Sequence, residues 1–314
     1  MNDSASPPPV IKWSAQLDVD RPLSAIAPTL LEARLARVTE MLTGIGEHSA
    51  TSDAWVHQLR VATRRAQAAI DWFAVVLGQR RRDQVRRKLR GIRHAANAAR
   101  NLDVLIADLT SSKSIDPADM QPCLDQLRQS RQQAQQPLTE LLERLLPDRW
   151  PRRVRRLLDT VRWRHSRGKQ EPTLAQHASA QWQSQCESFA EELSGPLETT
   201  ADLHRLRIAT KRLRYAAELA MPAIGASFPI ELYEQLTELQ GDLGAVNDHA
   251  TAVQLLHDLL QVDLDQPAEP WGAWIEHHRQ QLNARQRRFH RRWPTSRLHG
   301  LVGPPHADSP PAPR

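Results

Sequence analysis

The sequence predicts an all-α protein built as two pseudo-symmetric antiparallel helical bundles, with about four helices in each bundle. Apolar residues recur every three or four positions along most of the chain, which is the spacing of one helix face. No stretch alternates with period two for long enough to indicate a strand. The 12 glycines and the 5% aromatic content also argue against a β-rich or dinucleotide-binding fold. The division into two bundles follows from a string that occurs twice.

The repeated string reads VHQLRVATRR at residues 56–65 and LHRLRIATKR at residues 203–212. His57 and His204 take equivalent places in the two copies, which gives an offset of 147 residues. A second block keeps this offset, and it pairs Leu89, Ile92, Ala96, Asn97, Arg100 and Asn101 with Leu236, Leu239, Leu243, Gly244, Asn247 and Asp248. Two blocks in one register predict an internal duplication.

Helical periodicity and the glycine and proline positions divide the chain into segments. A Pro-rich leader over residues 1–24 and a tail over residues 294–314 are both predicted to be disordered. The first helical half covers residues 25–165, and its helices are expected near 28–44, 53–77, 79–109, 117–146 and 152–164. A linker over residues 166–173 leads to the second half, 174–293, with helices expected near 174–194, 200–221, 228–261 and 271–293. Gly44 and Gly46 are expected to end the first helix.

Charges are distributed unevenly along a chain whose formal net charge is +6. Arginine and lysine crowd residues 80–100 and 149–169, and a third basic group lies at 285–292. Acidic residues gather instead at 187–202 and 231–242. This segregation predicts a basic face whose natural partner is a polyanion. The preference for arginine over lysine suits bidentate contacts with phosphate oxygens.

Each copy of the repeated string is expected to form a helix with one core face and one basic face. His57, Arg60 and Arg64 fall within about 60° of arc. The opposite side carries the apolar stripe Leu59, Ala62, Ala66, Ile70 and Phe73. The second copy repeats the basic face with His204, Arg207, Lys211 and Arg214. A solvated charged face is the alternative interpretation, but neither ladder contains an acid and the pattern occurs twice, which favours a binding surface.

These motifs resemble a known family. The strings from His57 to Arg65 and from His204 to Tyr215 are similar to the signature helices of the CHAD domain, the conserved histidine α-helical domain. The resemblance covers about residues 25–293. It implies two pseudo-symmetric helical bundles that bind inorganic polyphosphate through basic surface residues, and association with polyphosphate granules as in some members. The sequence departs from the family at Gln67, where a basic residue is common, and at Asn97, where glycine is common.

The predicted site lies on the two histidine helices, placed side by side by the pseudo-twofold axis, and on the basic helix that follows the first. The predicted polyphosphate ligands are His57, Arg60, Arg64, Arg86, Arg90, Arg93, His204, Arg207, Lys211 and Arg214. Weaker candidates are Lys88, Arg285, Arg288 and Arg292. Arg65 and Arg212 point about 80° away from the ladders and are expected to make structural pairs.

No catalytic constellation is predicted, and neither a metal nor another cofactor is expected. The sequence has no HExxH motif, no Cys/His cluster and no glycine-rich phosphate loop. We therefore expect a binding protein and no enzyme. Two alternatives stay open. One is a general polyanion or nucleic-acid binder, which would usually add aromatic platforms for bases. The other is a metal-dependent enzyme that processes polyphosphate.

The cellular context is predicted from sequence patterns that are absent. Two cysteines cannot form a disulfide framework, and no apolar run approaches the length of about 20 residues that spans a bilayer. The first residues also lack the basic and apolar regions of a signal peptide. A cytoplasmic protein without a membrane partner is expected, on polyphosphate granules if the family resemblance extends that far. The oligomeric state is left open.

Overall fold

The computed structural model of the chain describes residues 17–47, 53–111, 117–145, 149–163, 170–225, 228–260 and 271–302. Helices dominate these residues, so the predicted all-α class is confirmed; the described part contains an isolated bridge between Pro22 and Thr173 but no strand. The helices are α1 Leu23–Glu47, α2 Asp53–Trp72, α3 Gln79–Ser111, α4 Pro117–Leu145, α5 Arg149–Leu158, α6 Leu174–Leu193, α7 Thr200–Ile224, α8 Ile230–Leu260, α9 Trp271–Arg292 and α10 Thr295–Gly300. Within the described ranges, no helix is long and apolar enough to cross a membrane.

The chain divides into two compact units. Unit 1 consists of Met1–His177 together with Ala268–Trp274, and unit 2 consists of Ala178–Pro267 together with Ile275–Arg314. The repeated histidine strings fall one in each unit, on α2 and on α7. The internal duplication itself stays a prediction.

Unit 1 is a helical bundle in which consecutive helices pack on each other. Helix α1 contacts α2, α2 contacts α3, α3 contacts α4, and the short α5 packs against both α1 and α3. Apolar positions of α1 that repeat every three or four residues, such as Leu31, Leu35 and Val38, are fully buried. The tryptophan Trp150 anchors α5, because its ring is fully buried and its Nε1–H donates to Thr39 Oγ1 at 3.0 Å.

Helix α1 begins earlier than the sequence predicts. It starts at Leu23, inside the stretch predicted as a disordered leader, and Leu23 is fully buried. Its N–H donates to the carbonyl of Pro172 at 3.0 Å, and the N–H of Leu174 donates to the carbonyl of Arg21 at 3.1 Å. The residues before α1 therefore pair with those before α6, a long-range contact that the Pro-rich composition conceals. Residues 1–16 of the predicted leader and 164–169, around the predicted linker, lie outside the described residues.

The glycine Gly44 does not end α1 as predicted, because the helix continues to Glu47. A Cβ atom at Gly44 would lie 2.0 Å from a ring carbon of Trp55 on α2. Such a distance is impossible for real atoms, so glycine is required for the close approach of the tryptophan ring to the α1 backbone. The residue serves packing between two helices and not helix termination.

Unit 2 is organised around α7 and α8, which pack together. Helix α7 begins with a capping box: Asp202 N–H donates to Thr199 Oγ1 at 3.1 Å, and Thr199 N–H donates to the Asp202 carboxylate at 2.9 Å. The core around it combines α6, α7, α8, α9 and α10, and its members are Phe189, Leu193, Leu203, Leu206, Leu213, Leu236, Leu239, Leu243, Val246, Phe289, Trp293, Leu298 and Leu301.

Part of the predicted tail is ordered in unit 2. Helix α10 covers Thr295–Gly300, within the stretch 294–314 that the sequence predicts as disordered. Leu298 is fully buried and Leu301 is 6% exposed, so both join the core. The prolines that indicate disorder begin at Pro304, and residues 303–314 lie outside the described part.

The histidine His177, on the first turn of α6, is a buried side chain of unit 1. Its Nε2–H donates to the carbonyl of Trp72 at 2.9 Å, and its ring stacks on Phe73 with centroids 6.1 Å apart. Burial lowers the pKa of His177, because the imidazolium would lose its water, and the hydrogen bond to Trp72 offsets this only in part. The neutral ring is thus the form that the fold accommodates.

We expect the stability of the protein to fall as the pH is lowered below about 6.5, where an unfolded histidine takes up a proton. Above that pH both states hold a neutral His177 and the full stability is present. Below it the unfolded state gains a proton that the folded state resists, at a slope of at most about 1.4 kcal/mol per pH unit. Urea unfolding of wild type and His177→Gln between pH 5 and 8 measures this. An equal pH dependence in both proteins would contradict the assignment.

Candidate functional site

Helix α2 presents the first histidine ladder on the side away from its core stripe. His57 is exposed, and Arg60 and Arg64 are half-buried. The opposite residues Leu59, Ala62, Ala66, Ile70 and Phe73 are at most 2% exposed. The two faces therefore separate as the helical period predicts. Arg65 lies off the ladder and is 7% exposed.

Helix α7 presents the second ladder in unit 2. His204 is exposed, and Arg207 and Lys211, one and two turns further along, are half-buried. Leu206 and Leu213 on the other side are at most 1% exposed and belong to the core. The sequence of α7 holds no acid between Leu203 and Ala217. The ladder thus carries positive charge in steps of one helical turn.

A hydrogen bond fixes the orientation of the His204 ring. Its Nδ1 lies 2.6 Å from Oδ1 of Asn247 on α8, and the amide of Asn247 is itself held by donation from Nδ2 to Thr251 Oγ1 at 3.1 Å. An amide oxygen can only accept, so Nδ1 of His204 carries a hydrogen. A neutral ring then leaves Nε2 as an acceptor, and only the imidazolium offers Nε2–H to an anion. Asn247 aligns with Arg100 in the repeat, but the sequence pattern assigns it no role in the predicted site.

The first acidic residue of α7, Asp202, is engaged at the start of the helix. The pKa of its carboxyl is lowered, chiefly by donation from the backbone N–H of Thr199 and further by the Thr199 hydroxyl and Arg205. Arg205 in turn bridges Asp202, at 2.9 Å, and Glu192, at 3.1 Å. These carboxylates are therefore neutralised beside Arg205, one position along from His204.

The arginine Arg214, predicted as an anion ligand, lies inside unit 2. It is 8% exposed, and its NH1 group contacts Glu218 Oε1 and the hydroxyl of Tyr233, each at 3.0 Å. Its Nε–H donates to Gln240 Oε1 at 2.8 Å. Helix α8 covers the ladder at this point, since Tyr233 and Gln240 both belong to it. Arg214 compensates the buried carboxylate of Glu218, so we leave it out of the proposed site.

Unit 1 holds a related ion pair at the offset of 147 residues. Asp71, equivalent to Glu218, lies 3.1 Å from Nε of Arg86, and it accepts hydrogen bonds from Gln67. Gln67 is the equivalent of Arg214, and Arg86 that of Tyr233. The carboxylate is thus kept in both units, while its cation comes from α3 in one and from α7 in the other. Arg86, another predicted ligand, already has a carboxylate partner.

The remaining predicted residues differ in surroundings. On α3, Arg90 is exposed, while Arg93 and the weaker candidate Lys88 are half-buried. On α9, Arg288 is exposed and Arg285 half-buried. Arg292 pairs with Glu238 at 2.7 Å and with Asp242 at 2.9 Å, on the acidic side of α8. Arg292 is therefore neutralised within the protein. Among the described residues, no group of three or more His, Cys, Asp or Glu side chains is placed to hold a metal ion.

The side-by-side arrangement of α2 and α7 that the pseudo-twofold axis implies stays a prediction. Within the units, the structure places His57, Arg60 and Arg64 on one face of α2 and His204, Arg207 and Lys211 on one face of α7.

Comparisons with known proteins agree with this architecture. A family model described as the CHAD domain matches residues 29–257. The crystal structure of the CHAD domain from the plant Ricinus communis is similar with a TM-score of 0.69 and 24% identity, over 94% of this chain and 96% of that one. PptA from Streptomyces chartreusis is similar with a TM-score of 0.60 and 15% identity, over 87% and 99%. No protein of curated function matches the sequence. At these identities the solved structures establish the fold alone.

We expect Arg214→Gln to lower the free energy of unfolding by about 3–5 kcal/mol, because it leaves the buried Glu218 carboxylate without its cation. Arg212→Gln removes an exposed arginine nearby and should change stability by less than about 0.5 kcal/mol. Urea unfolding of the two variants measures the difference. Wild-type stability in Arg214→Gln would contradict the structural role and return Arg214 to the list of candidate ligands.

Proposed function

The chain belongs to the CHAD domain family, and from this premise we propose that it binds inorganic polyphosphate without catalysing its conversion. Family membership supports a role connected with polyphosphate. The observation that carries the proposal is the pair of histidine ladders, each backed by a buried apolar stripe and free of acids in its sequence. Polyphosphate offers a row of singly charged phosphates, and cations one helical turn apart can follow it.

The placement of the aromatic residues favours a ligand without bases. Six of the tryptophans are at most 7% exposed, namely Trp55, Trp72, Trp150, Trp271, Trp274 and Trp293. All four phenylalanines and both tyrosines are also buried. Of the other described tryptophans, Trp182 packs on Phe228 with ring centroids 5.0 Å apart, and Trp163 is half-buried. Single-stranded nucleic-acid binders use exposed aromatic rings to stack bases, so these buried rings support polyphosphate over nucleic acid.

The proposed ligands are the solvent-accessible members of the ladders and their neighbours on α3. They are His57, Arg60, Arg64, Arg90, Arg93, His204, Arg207 and Lys211. Arg86, Lys88, Arg285 and Arg288 are secondary contributors. Binding of this kind would bring the protein to polyphosphate granules, where the ligand is concentrated, and this localisation is part of the proposal.

We expect the double variant R207Q/K211Q to bind medium-length polyphosphate at least tenfold more weakly at low salt. Loss of two phosphate contacts should also reduce the slope of log affinity against log salt by about 1 to 2. The control R212Q/R287Q removes the same charge from two exposed positions outside the ladder. Titrations at two salt concentrations measure both variants, and equal affinities in both would contradict the site.

The same titrations separate the alternative functions. Excess double-stranded DNA should leave polyphosphate bound if the protein is a dedicated receptor, whereas equal displacement would indicate a generic basic surface. Release of orthophosphate that depends on added Mg²⁺ or Mn²⁺ and is lost in His57 or His204 variants would indicate an enzyme instead.

We expect His204→Asn to weaken polyphosphate binding by roughly threefold to tenfold, because asparagine keeps a donor to Asn247 but removes Nε2, the ring atom left to face an anion. His257→Asn, at an exposed position of α8, is the control and should bind as wild type does. Titrations with polyphosphate measure both variants. Wild-type affinity in His204→Asn would rule out this role.

A further inference from the structure

A cleft in unit 1 collects arginines that the histidine ladders do not include. It lies between α3 and α5 and has a volume of about 330 Å³. Its lining consists of Arg81, Gln84, Val85, Arg149, Arg152, Arg153 and Arg156. We propose that this cleft is a separate binding site for a compact oligophosphate, a diphosphate or triphosphate. The proposal is independent of polyphosphate binding at the histidine ladders.

The register of α5 explains why its arginines meet in the cleft. Arg149, Arg152, Arg153 and Arg156 occupy positions i, i+3, i+4 and i+7, so they project within about 100° of arc. Trp150 and Leu157 point to another side of α5 and are fully buried. Anchoring of α5 by its apolar side therefore turns the row of four guanidinium groups toward α3.

Helix α3 supplies the other wall with a face that the predicted site does not use. Arg81 donates from NH1 to Gln84 Oε1 at 3.1 Å, and the core residue Val85 is 1% exposed. Around the axis of α3, the predicted ligands Arg86, Arg90 and Arg93 lie about 120–180° away from Arg81. One anion cannot contact both faces of α3 at once, which makes the cleft a distinct site.

The two walls are joined where α3 begins and α5 ends. Gly78, just before α3, donates its N–H to Thr160 Oγ1 at 3.1 Å, and Arg162 donates its N–H to the carbonyl of Val76 at 3.0 Å. A Cβ atom at Gly78 would lie 3.0 Å from Cβ of Thr160, so the backbone there approaches the turn after α5 closely. These two hydrogen bonds therefore join the segment before α3 to the turn after α5, the two helices that carry the arginines.

The charge of the cleft selects its ligand. Five guanidinium groups face it, and no carboxylate is among the described residues that line it. The Nε–H of Arg153 is shielded from solvent and has no acceptor among the described residues. Guanidinium forks bind phosphate oxygens in bidentate fashion, and the lining has no aromatic ring on which a base could stack. The volume is at the lower end of the range of about 300–1,000 Å³ for small-molecule sites, which suits two or three linked phosphates.

The test is calorimetric titration of the full chain with inorganic triphosphate at low salt. We expect R149Q/R156Q to weaken triphosphate binding at least tenfold, and by clearly more than R207Q/K211Q does. The control R155Q/R162Q removes the same charge from exposed residues of the same segment that do not line the cleft. Because Arg149 and Arg156 are exposed, their loss should leave thermal unfolding unchanged or slightly stabilised through reduced repulsion.

Three results would overturn the proposal: wild-type triphosphate affinity in R149Q/R156Q, an equal loss in R155Q/R162Q, or a loss in R207Q/K211Q of the size expected for the cleft. Long-chain polyphosphate is titrated in parallel with the same variants. Weak long-chain binding by wild type, with its triphosphate binding intact, would count against the histidine ladders and leave the cleft standing. Weak triphosphate binding by wild type, with its long-chain binding intact, would count against the cleft and leave the ladders standing.

Discussion

The structure depends on helices that bury one face while holding like charges on another. On α2 the residues Leu59 and Ala66 are fully buried, and on α7 the same holds for Leu206. Each of these helices carries a histidine and several cations on its other side, where they repel one another at close range. Burial of the apolar stripe offsets that repulsion, since each large apolar side chain contributes about 1.5–3 kcal/mol. In the proposed function, polyphosphate would place a row of anions along such a face.

The two units pair an equivalent carboxylate with cations from different helices. A carboxylate near the end of each histidine helix needs a cation, and the structure provides one in both cases. Glu218 receives it from Arg214 on its own helix, whereas Asp71 receives it from Arg86 on α3. Each of these four residues has a counterpart in the other unit at an offset of 147 residues. The counterpart keeps either the charge or the hydrogen bond to the carboxylate. The interaction is retained while the residues are exchanged, which is consistent with the predicted internal duplication. The need for a cation beside each carboxylate also explains why Arg86 and Arg214 occur among the basic residues that were predicted as ligands.

Most helices could be predicted from the sequence because apolar period and helix breakers act locally. The expected bounds of α4, α6 and α9 agree with the structure to within a residue or so. The errors lie where a distant contact decides the end of a helix. Helix α1 starts at Leu23 because Leu23 hydrogen-bonds to Pro172 while Leu174 hydrogen-bonds to Arg21. It continues through Gly44 because Trp55 of α2 packs there, and α10 forms because Leu298 fills the core of unit 2. In each case the deciding contact comes from another segment of the chain.

For the site, the sequence by itself determined which residues share a helix face, where positive charge concentrates, and which family the chain belongs to. Only the tertiary structure decided which of those cations face solvent. Periodicity gives the direction of a side chain but not the position at which a neighbouring helix crosses, so it could not separate the accessible Lys211 from Arg214, which α8 covers. For the same reason, periodicity could not predict the tautomer of His204, which Asn247 sets, or the cleft between α3 and α5. Contacts between residues far apart in the chain fix all three.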